Sequence, residues 1–363
     1  MQHNQKKHFQ ASRQPMLRTM PQVTFDFVIP LYSLRWNTRA VLEGITAHYS
    51  PRHIHIITPG AGVDLLAQAS QSWQTSPVFI HNEDHFFQDK TDLSKDAICA
   101  EIALGKSLYN PGWFYQQLLK LGAAEGIEDL SEWYVVWDSD LLPVKAWPLF
   151  RQQGQTLQHT FALLQHNQYG NPQIVSTWDK WIRAVLNVDP LTDPEGTFIP
   201  HHMWFKQEHL LSFQDRLHDY FQSEDHWLLL MMRSAREFGT FSEYWAYTSW
   251  VAAQAPADLV FYPYAQYGTT TERFFDDGTG LFSAALKRYQ FGDDHRDDDI
   301  LSPSYQEVKA FIESAYGSDP LPSSLSFESS PRHLKKNRET MHIEEQRSRW
   351  NLRLAASEYV TQS

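Results

Sequence analysis

Apolar positions along the first third of the chain switch between two periods. Residues 23–30 read VTFDFVIP, rich in β-branched and aromatic types and stopped by Pro30, which predicts a strand. Val41, Ile45 and His48/Tyr49 then recur at steps of three and four up to Ser50-Pro51, the signature of a helix and its stop. HIHIIT at 53–58 predicts a second strand, closed by Pro59-Gly60. A helix follows over 62–73 with Leu65, Leu66 and Ala69 on one side, and a third short strand over 77–81. Strand, helix, strand, helix, strand with short connections predicts βαβ units and a parallel, buried sheet.

Two helical stretches, 93–104 and 111–124, lead to the strand WYVVW at 133–137, which runs straight into Asp138-Ser139-Asp140. Further strands are expected at 160–165, 197–205 and 257–264, and helices at 179–186 and 243–255. No internal repeat is visible. The character of the chain changes near residue 292, where GDDHRDDD forms a solvated acidic run. Residues 317–332 are rich in Ser and Pro and read as linker, and 333–360 as a charged helix with sparse apolar positions at Leu334, Met341, Trp350 and Leu354. The expected organisation is a flexible tail over 1–21, a catalytic-type domain over 22–291, and a C-terminal appendage over 292–363, partly helical and partly linker.

Composition narrows the function. With 42% hydrophobic and 20% charged residues among 363, a sizeable core is expected and wholesale disorder excluded. A formal charge of −12 argues against nucleic acid as a partner. The single cysteine, Cys99, excludes an intrachain disulfide and a Cys-rich zinc module. The longest apolar run, 227–232, falls far short of the ~20 residues of a membrane span, so no transmembrane segment is expected. The first twenty residues lack the apolar stretch of a secretory signal. These features together give an expected cytoplasmic location. Lys6, Lys7, Arg13 and Arg18 leave peripheral attachment to a membrane surface as the alternative.

The chemistry-bearing features are few. Two carboxylates one residue apart, on a turn leaving a buried strand, can point the same way. Hard divalent cations take such oxygen ligands together with substrate phosphates. A plain turn is the competing reading, since Asp and Ser both favour turns. On the preceding helix, Trp113, Gln116, Gln117 and Lys120 fall on one stripe, beside an apolar stripe of Phe114, Leu118 and Leu121. The polar stripe is either a solvated face or a donor-binding face on which Lys120 meets a phosphate as a point charge. In PHHMWF, adjacent His201 and His202 on a strand would face opposite sides, so a paired-histidine zinc site is not expected. Either one of the two is buried and hydrogen-bonded and the other exposed, or one, assigned to His202, is expected to contact the acceptor or the donor sugar. Glu243 stands at a helix start with Ser242 as N-cap, and shares a face with Tyr247 and Trp250. It is either a favourable first-turn charge or a general base beside an aromatic platform.

These segments, in the order FVIPLY, HIHIIT, NED, GWFYQQLLKL, YVVWDSDLLPVK, PHHMWFKQEHL and FSEYWAYTSWV over about residues 25–265, resemble the GT-A-fold nucleotide-sugar-dependent glycosyltransferases. Within them they resemble a little-characterised bacterial and fungal group. The resemblance implies a Rossmann-related α/β sandwich with a mostly parallel central sheet and helices on both faces. It implies Mn²⁺ or Mg²⁺ held by Asp138 and Asp140, with Ser139 between them at the donor. Leu31, Tyr32, Glu83 and Asp84 match places where the nucleoside is held, and Arg39 a place near the phosphates. Glu243 matches the carboxylate that deprotonates the acceptor in inverting enzymes, and His295 a late metal ligand, although the C-terminal part carries no clear signature for that ligand. The implied partners are a nucleotide-diphosphate sugar, UDP-sugar favoured, and a hydroxyl-bearing acceptor, whether glycan, lipid or small molecule. The alternatives are a non-catalytic carbohydrate- or nucleotide-sugar-binding protein, and a sugar-nucleotide pyrophosphorylase or metal phosphohydrolase. The first turn, LYSLRWNT, lacks the glycines of a pyrophosphorylase phosphate loop.

Overall fold

The computed structural model describes residues 23–105, 110–153, 156–162, 164–165, 172–192, 196–197, 201–262, 272–274 and 303–327. In chain order its strands are β1 (Asp26–Pro30), β2 (Ile54–Thr58), β3 (Val78–Asn82), β4 (Trp133–Trp137), β5 (Leu141–Pro143), β6 (Phe150–Gln153), β7 (Thr156–Ala162), β8 (Leu164–Gln165), β9 (Gly196–Thr197), β10 (His202–Lys206), β11 (Leu259–Tyr262), β12 (Glu272–Phe274) and β13 (Ser324–Phe327). The helices are α1 (Thr38–Tyr49), α2 (Gly60–Ser70), α3 (Gln88–Thr91), α4 (Lys95–Ala103), α5 (Pro111–Leu121), α6 (Ala123–Gly126), α7 (Pro172–Trp181), α8 (Gln207–Phe221), α9 (Trp227–Phe238), α10 (Glu243–Gln254) and α11 (Tyr305–Tyr316).

The expected sheet is there. Its order is β10-β4-β1-β2-β3, parallel throughout except for β10, which runs antiparallel to β4. Every residue of β1 and β2 is buried, the polar Asp26, His55 and Thr58 included, whereas β3 at the margin is only partly covered. The chain builds outward from β1 through β2 to β3, then returns to place β4 on the other side of β1. That reversal makes a crevice at the carboxyl ends of β1 and β4, where ligands of open α/β sheets bind. Helices pack on the sheet: α1 buries Val41, Leu42 and Ile45, α5 buries Phe114, Leu118 and Leu121, and α10 is buried from Glu243 to Val251. No helix among the described residues is long and apolar enough to cross a membrane.

Several elements depart from the sequence pattern. The stretch expected as one strand over 197–205 begins its central-sheet pairing only at His202. Helices α8 and α9 were not expected; in α9, WLLLMM is an unbroken apolar run with no visible period. Beyond the composition change, α11 seats on α1. Glu43 Oε2 accepts from the backbone N–H of Tyr305 at 2.8 Å, and His48 Nε2 lies 2.6 Å from the Tyr305 hydroxyl. Ser304 and Glu307 close a capping box at its start. The Ser/Pro-rich stretch then supplies β13, which pairs antiparallel with β5 and is buried at all four residues. Alternation in Ser324-Leu325-Ser326-Phe327 places both apolar side chains on one face.

A chain ending at Gly317 would lose the burial of Leu325 and Phe327, 0% and 2% exposed. At about 1.5–3 kcal/mol each, the expected loss is about 3–6 kcal/mol, read as a lower urea midpoint. An unchanged midpoint would show that β13 is dispensable.

Candidate functional site

The carboxyl end of β4 delivers Asp138-Ser139-Asp140 into the crevice beside β1. Backbone bonds fix this turn. Asp138 N–H donates to the His201 carbonyl at 2.8 Å, Leu141 N–H to the Asp138 carbonyl at 3.0 Å, and Phe327 N–H to the Asp140 carbonyl at 2.9 Å. The Trp137 indole N–H donates to the Leu141 carbonyl at 2.7 Å. The turn that carries the two carboxylates is therefore held by β5, β13 and the residue before β10 rather than being a loose loop.

Asp138 is the hub. Its Oδ1 lies 2.6 Å from Lys120 Nζ and accepts from the Tyr244 hydroxyl at 3.0 Å, while its Oδ2 lies 3.0 Å from His201 Nδ1. Lys120 comes from α5, which begins with Pro111 at its first turn and Asn110 as N-cap, the Asn110 Oδ1 accepting from Gly112 N–H at 2.9 Å. Its ammonium also meets Glu243 Oε1 at 2.7 Å and lies 4.4 Å from the centre of the Tyr244 ring. Glu243 is the first residue of α10. Its backbone N–H donates to Gln117 Oε1 at 3.2 Å, one turn before Lys120. Burial opposes the charge on Lys120, but Asp138 and Glu243 on either side outweigh it and hold its pKa well above the usual lysine value. Burial likewise opposes the Asp138 carboxylate, and Lys120 and His201 outweigh it and hold the group well below the usual carboxylate range. Burial beside Asp138 pushes the Tyr244 hydroxyl far up, so it remains a donor.

Asp138, Asp140 and His201 each present a ligand atom within 4.8 Å of the others. Two ligands at ~2.1 Å from one octahedral ion lie ~3.0 Å apart when adjacent and ~4.2 Å apart when opposite. The 3.0 Å between Asp138 Oδ2 and His201 Nδ1 is a hydrogen-bond distance and also the spacing of an adjacent ligand pair, so a hard divalent cation would take the place of that hydrogen bond with no large shift of either group. His201 holds a left-handed backbone, φ 61°, which is uncommon for a residue with a side chain. Such a conformation persists only where the surroundings enforce it. Here it lifts His201 out of the strand alternation.

A second group, Asp26, His53 and His55, also gathers ligand-type atoms, at the amino end of β1. There Asp26 already accepts from Arg52 Nε and Nη2 at 3.0 and 2.6 Å and from the backbone N–H groups of His53 and Ser131 at 3.1 and 2.8 Å. Its carboxylate is filled by a fork from Arg52 and works as a joint between β1, β2 and the entry to β4.

The remaining residues singled out from sequence are dispersed. Gln117 and Lys120 are buried, not solvated, while Trp113 and Gln116 on the same helix are half-buried. Leu31 is buried at the carboxyl end of β1, and Tyr32 beside it is 75% exposed with Lys95 Nζ 5.8 Å from its ring. Glu83 is buried on Lys95, its carbonyl accepting from the Tyr115 hydroxyl at 2.6 Å. Asp84 Oδ2 accepts from Gly60 N–H at the start of α2, at 2.8 Å. Arg39 Nε reaches Glu43 at 2.8 Å on its own helix. Ser139 is half-buried in the turn. His202 packs between Trp137 and Trp147, with ring centres 5.0 and 4.5 Å away, so it is His201 that meets Asp138. Tyr247 lies against Phe205 and accepts from Lys206 N–H at 2.8 Å, and the Trp250 indole N–H donates to Ser212 Oγ at 2.9 Å. Neither ring forms a platform beside Glu243. His295 lies outside the described residues. His201 was weighed with His202 but the site role was assigned to His202, and Tyr244, the sequence neighbour of Glu243, was not singled out.

The profile of a family described as "Family of unknown function (DUF6492)" matches residues 36–298. No curated protein sequence matches. Among solved structures, mouse xyloside xylosyltransferase 1 in its apo form aligns with 77% of this chain and 100% of its own at 10% identity and TM-score 0.38. The galactosyltransferase LgtC with donor and acceptor sugar analogs aligns over 90% and 95% at 11% identity and TM-score 0.35. Core-mannan synthase A from Aspergillus fumigatus, in a Mn/GDP form, aligns over 66% and 73% at 9% identity and TM-score 0.39. At these TM-scores the likenesses carry no weight, and the site stands on the chain's own topology and side chains.

Proposed function

The chain belongs to that family of unknown function, and from this premise we propose that it is a metal-dependent glycosyltransferase moving a sugar from a nucleotide-diphosphate sugar, UDP-sugar favoured, to a hydroxyl acceptor. The observation that carries the reading is the convergence of Asp138, Asp140 and His201 at the sheet's switch point. Asp138, Asp140 and His201 would hold Mn²⁺ or Mg²⁺. Bound there, the ion would bridge and neutralise the departing diphosphate. Lys120 and Tyr244 occupy Asp138 Oδ1, which leaves Oδ2 turned toward His201. A nucleoside laid across the crevice would meet the exposed Tyr32, beside the buried Leu31 at the adjacent end of β1.

Inversion needs a carboxylate able to take the acceptor's proton. For Glu243 to do this, its carboxylate, whose Oε1 accepts from Lys120 at 2.7 Å, must also reach the acceptor hydroxyl. The pyrophosphorylase alternative finds no support in the first turn, which carries no glycine between Leu31 and Thr38.

Incubation with UDP-sugars and Mn²⁺, with release of UDP as the readout, tests the proposal. Release that requires the metal supports it. The absence of release from every nucleotide sugar tried, with and without hydroxyl acceptors, would favour a binding protein instead.

A further inference from the structure

Lys120 occupies a position that the transfer reaction alone does not explain. The residue is 4% exposed, and its ammonium is bracketed by Asp138 Oδ1 at 2.6 Å and Glu243 Oε1 at 2.7 Å, with the Tyr244 ring 4.4 Å away. It is held from both ends. Leu119 and Leu121 anchor its turn of α5 in the core, and Glu243 is fixed at the head of α10 by its backbone bond to Gln117. The ammonium therefore sits on the one carboxylate that also faces His201.

We infer that Lys120 is a resident counter-ion of Asp138 that disfavours a bare divalent cation, so that the ion enters the site together with a diphosphate. The inference rests on the metal-site reading above. Two cations on a single, poorly solvated carboxylate repel one another far more than they would in water. Diphosphate oxygens on the ion's open positions supply the negative charge that offsets this repulsion. Glu243 is a positioning residue in this scheme. It keeps Lys120 charged and turned toward Asp138. Coupling of this kind would suppress idle occupation by metal and tie assembly of the site to arrival of the donor.

The test is Mn²⁺ titrated into the full chain by calorimetry, alone and with inorganic pyrophosphate. The proteins are the wild type, Lys120→Met/Glu243→Gln and Asp140→Asn. The double variant removes one positive and one negative charge together and leaves no unpaired Glu243, so it is chosen over Lys120→Met alone, which risks misfolding. The expected result is weak binding of Mn²⁺ alone by the wild type, tightened at least ~10-fold by pyrophosphate. The double variant should bind Mn²⁺ alone at least ~10-fold more tightly than the wild type, with a smaller gain from pyrophosphate. Equal or weaker binding of Mn²⁺ alone by the double variant, with binding still lost in Asp140→Asn, would overturn the inference and leave the metal site standing. No binding by any of the proteins, with or without pyrophosphate, would remove the metal site and the inference together.

Discussion

Asp140→Asn is expected to abolish metal-dependent turnover while leaving the fold in place. Altering a partner that merely orients a metal ligand costs ~10–100-fold, and loss of a charged ligand should exceed that. The fold should survive because Asp140 ties β13 through its backbone carbonyl, which accepts from Phe327 N–H at 2.9 Å, and Asn keeps that carbonyl. Asn is also close to Asp in size, so the half-buried side chain needs no repacking. UDP release with Mn²⁺ reads the activity, and a thermal melt reads the fold. Wild-type turnover by the variant, or full wild-type activity in EDTA, would contradict the account.

The second large effect is on stability. Lys120→Met leaves Glu243, 5% exposed, without its cation and removes one partner of Asp138. Breaking a buried ion pair on one side costs about 3–5 kcal/mol, because the remaining charge is desolvated and unpaired. Adding Glu243→Gln should recover the part of that loss that comes from the unpaired Glu243, while Asp138 keeps Tyr244 and His201 as partners. The comparison also addresses the simpler reading of Glu243 as a first-turn charge. In that case Glu243→Gln alone should cost only ~0.3–1 kcal/mol and the two substitutions should add. Urea denaturation of the wild type, both single variants and the double variant gives the coupling directly. A coupling near zero would dissolve the buried network as an energetic unit.

The sequence made the βαβ half legible because its strands are short apolar runs ended by Pro30, by Pro59-Gly60 and by Asp138. Such punctuation survives any tertiary context. WYVVW was readable in full, and with it the place of the two carboxylates. Lys120 was visible by its helical spacing from Trp113, Gln116 and Gln117, but its burial was not. The partner that makes burial tolerable, Glu243, lies 123 residues away. His201 lost the site role to His202 for a different reason. Strand alternation assumes extended backbone, and a φ of 61° breaks that assumption one residue before β10 begins. Tyr244 was hidden behind Glu243, since a face drawn at steps of three and four from Glu243 picks Tyr247 and passes over its immediate neighbour. β13 was concealed by composition, because two apolar residues among serines and prolines look like linker until β5 offers them an edge.

The most direct measurement is a thermal-shift panel of UDP-, GDP-, dTDP- and CMP-sugars, each with Mn²⁺ and with EDTA. A ligand that binds only the native state at ~100 times its Kd adds about 2.7 kcal/mol of stability, enough for a clear rise in Tm. The account predicts that a UDP-sugar raises Tm with Mn²⁺ and not with EDTA, and that Asp140→Asn loses the response. An equal shift with Mn²⁺ and with EDTA, or no shift from any nucleotide sugar in the presence of Mn²⁺, would contradict it.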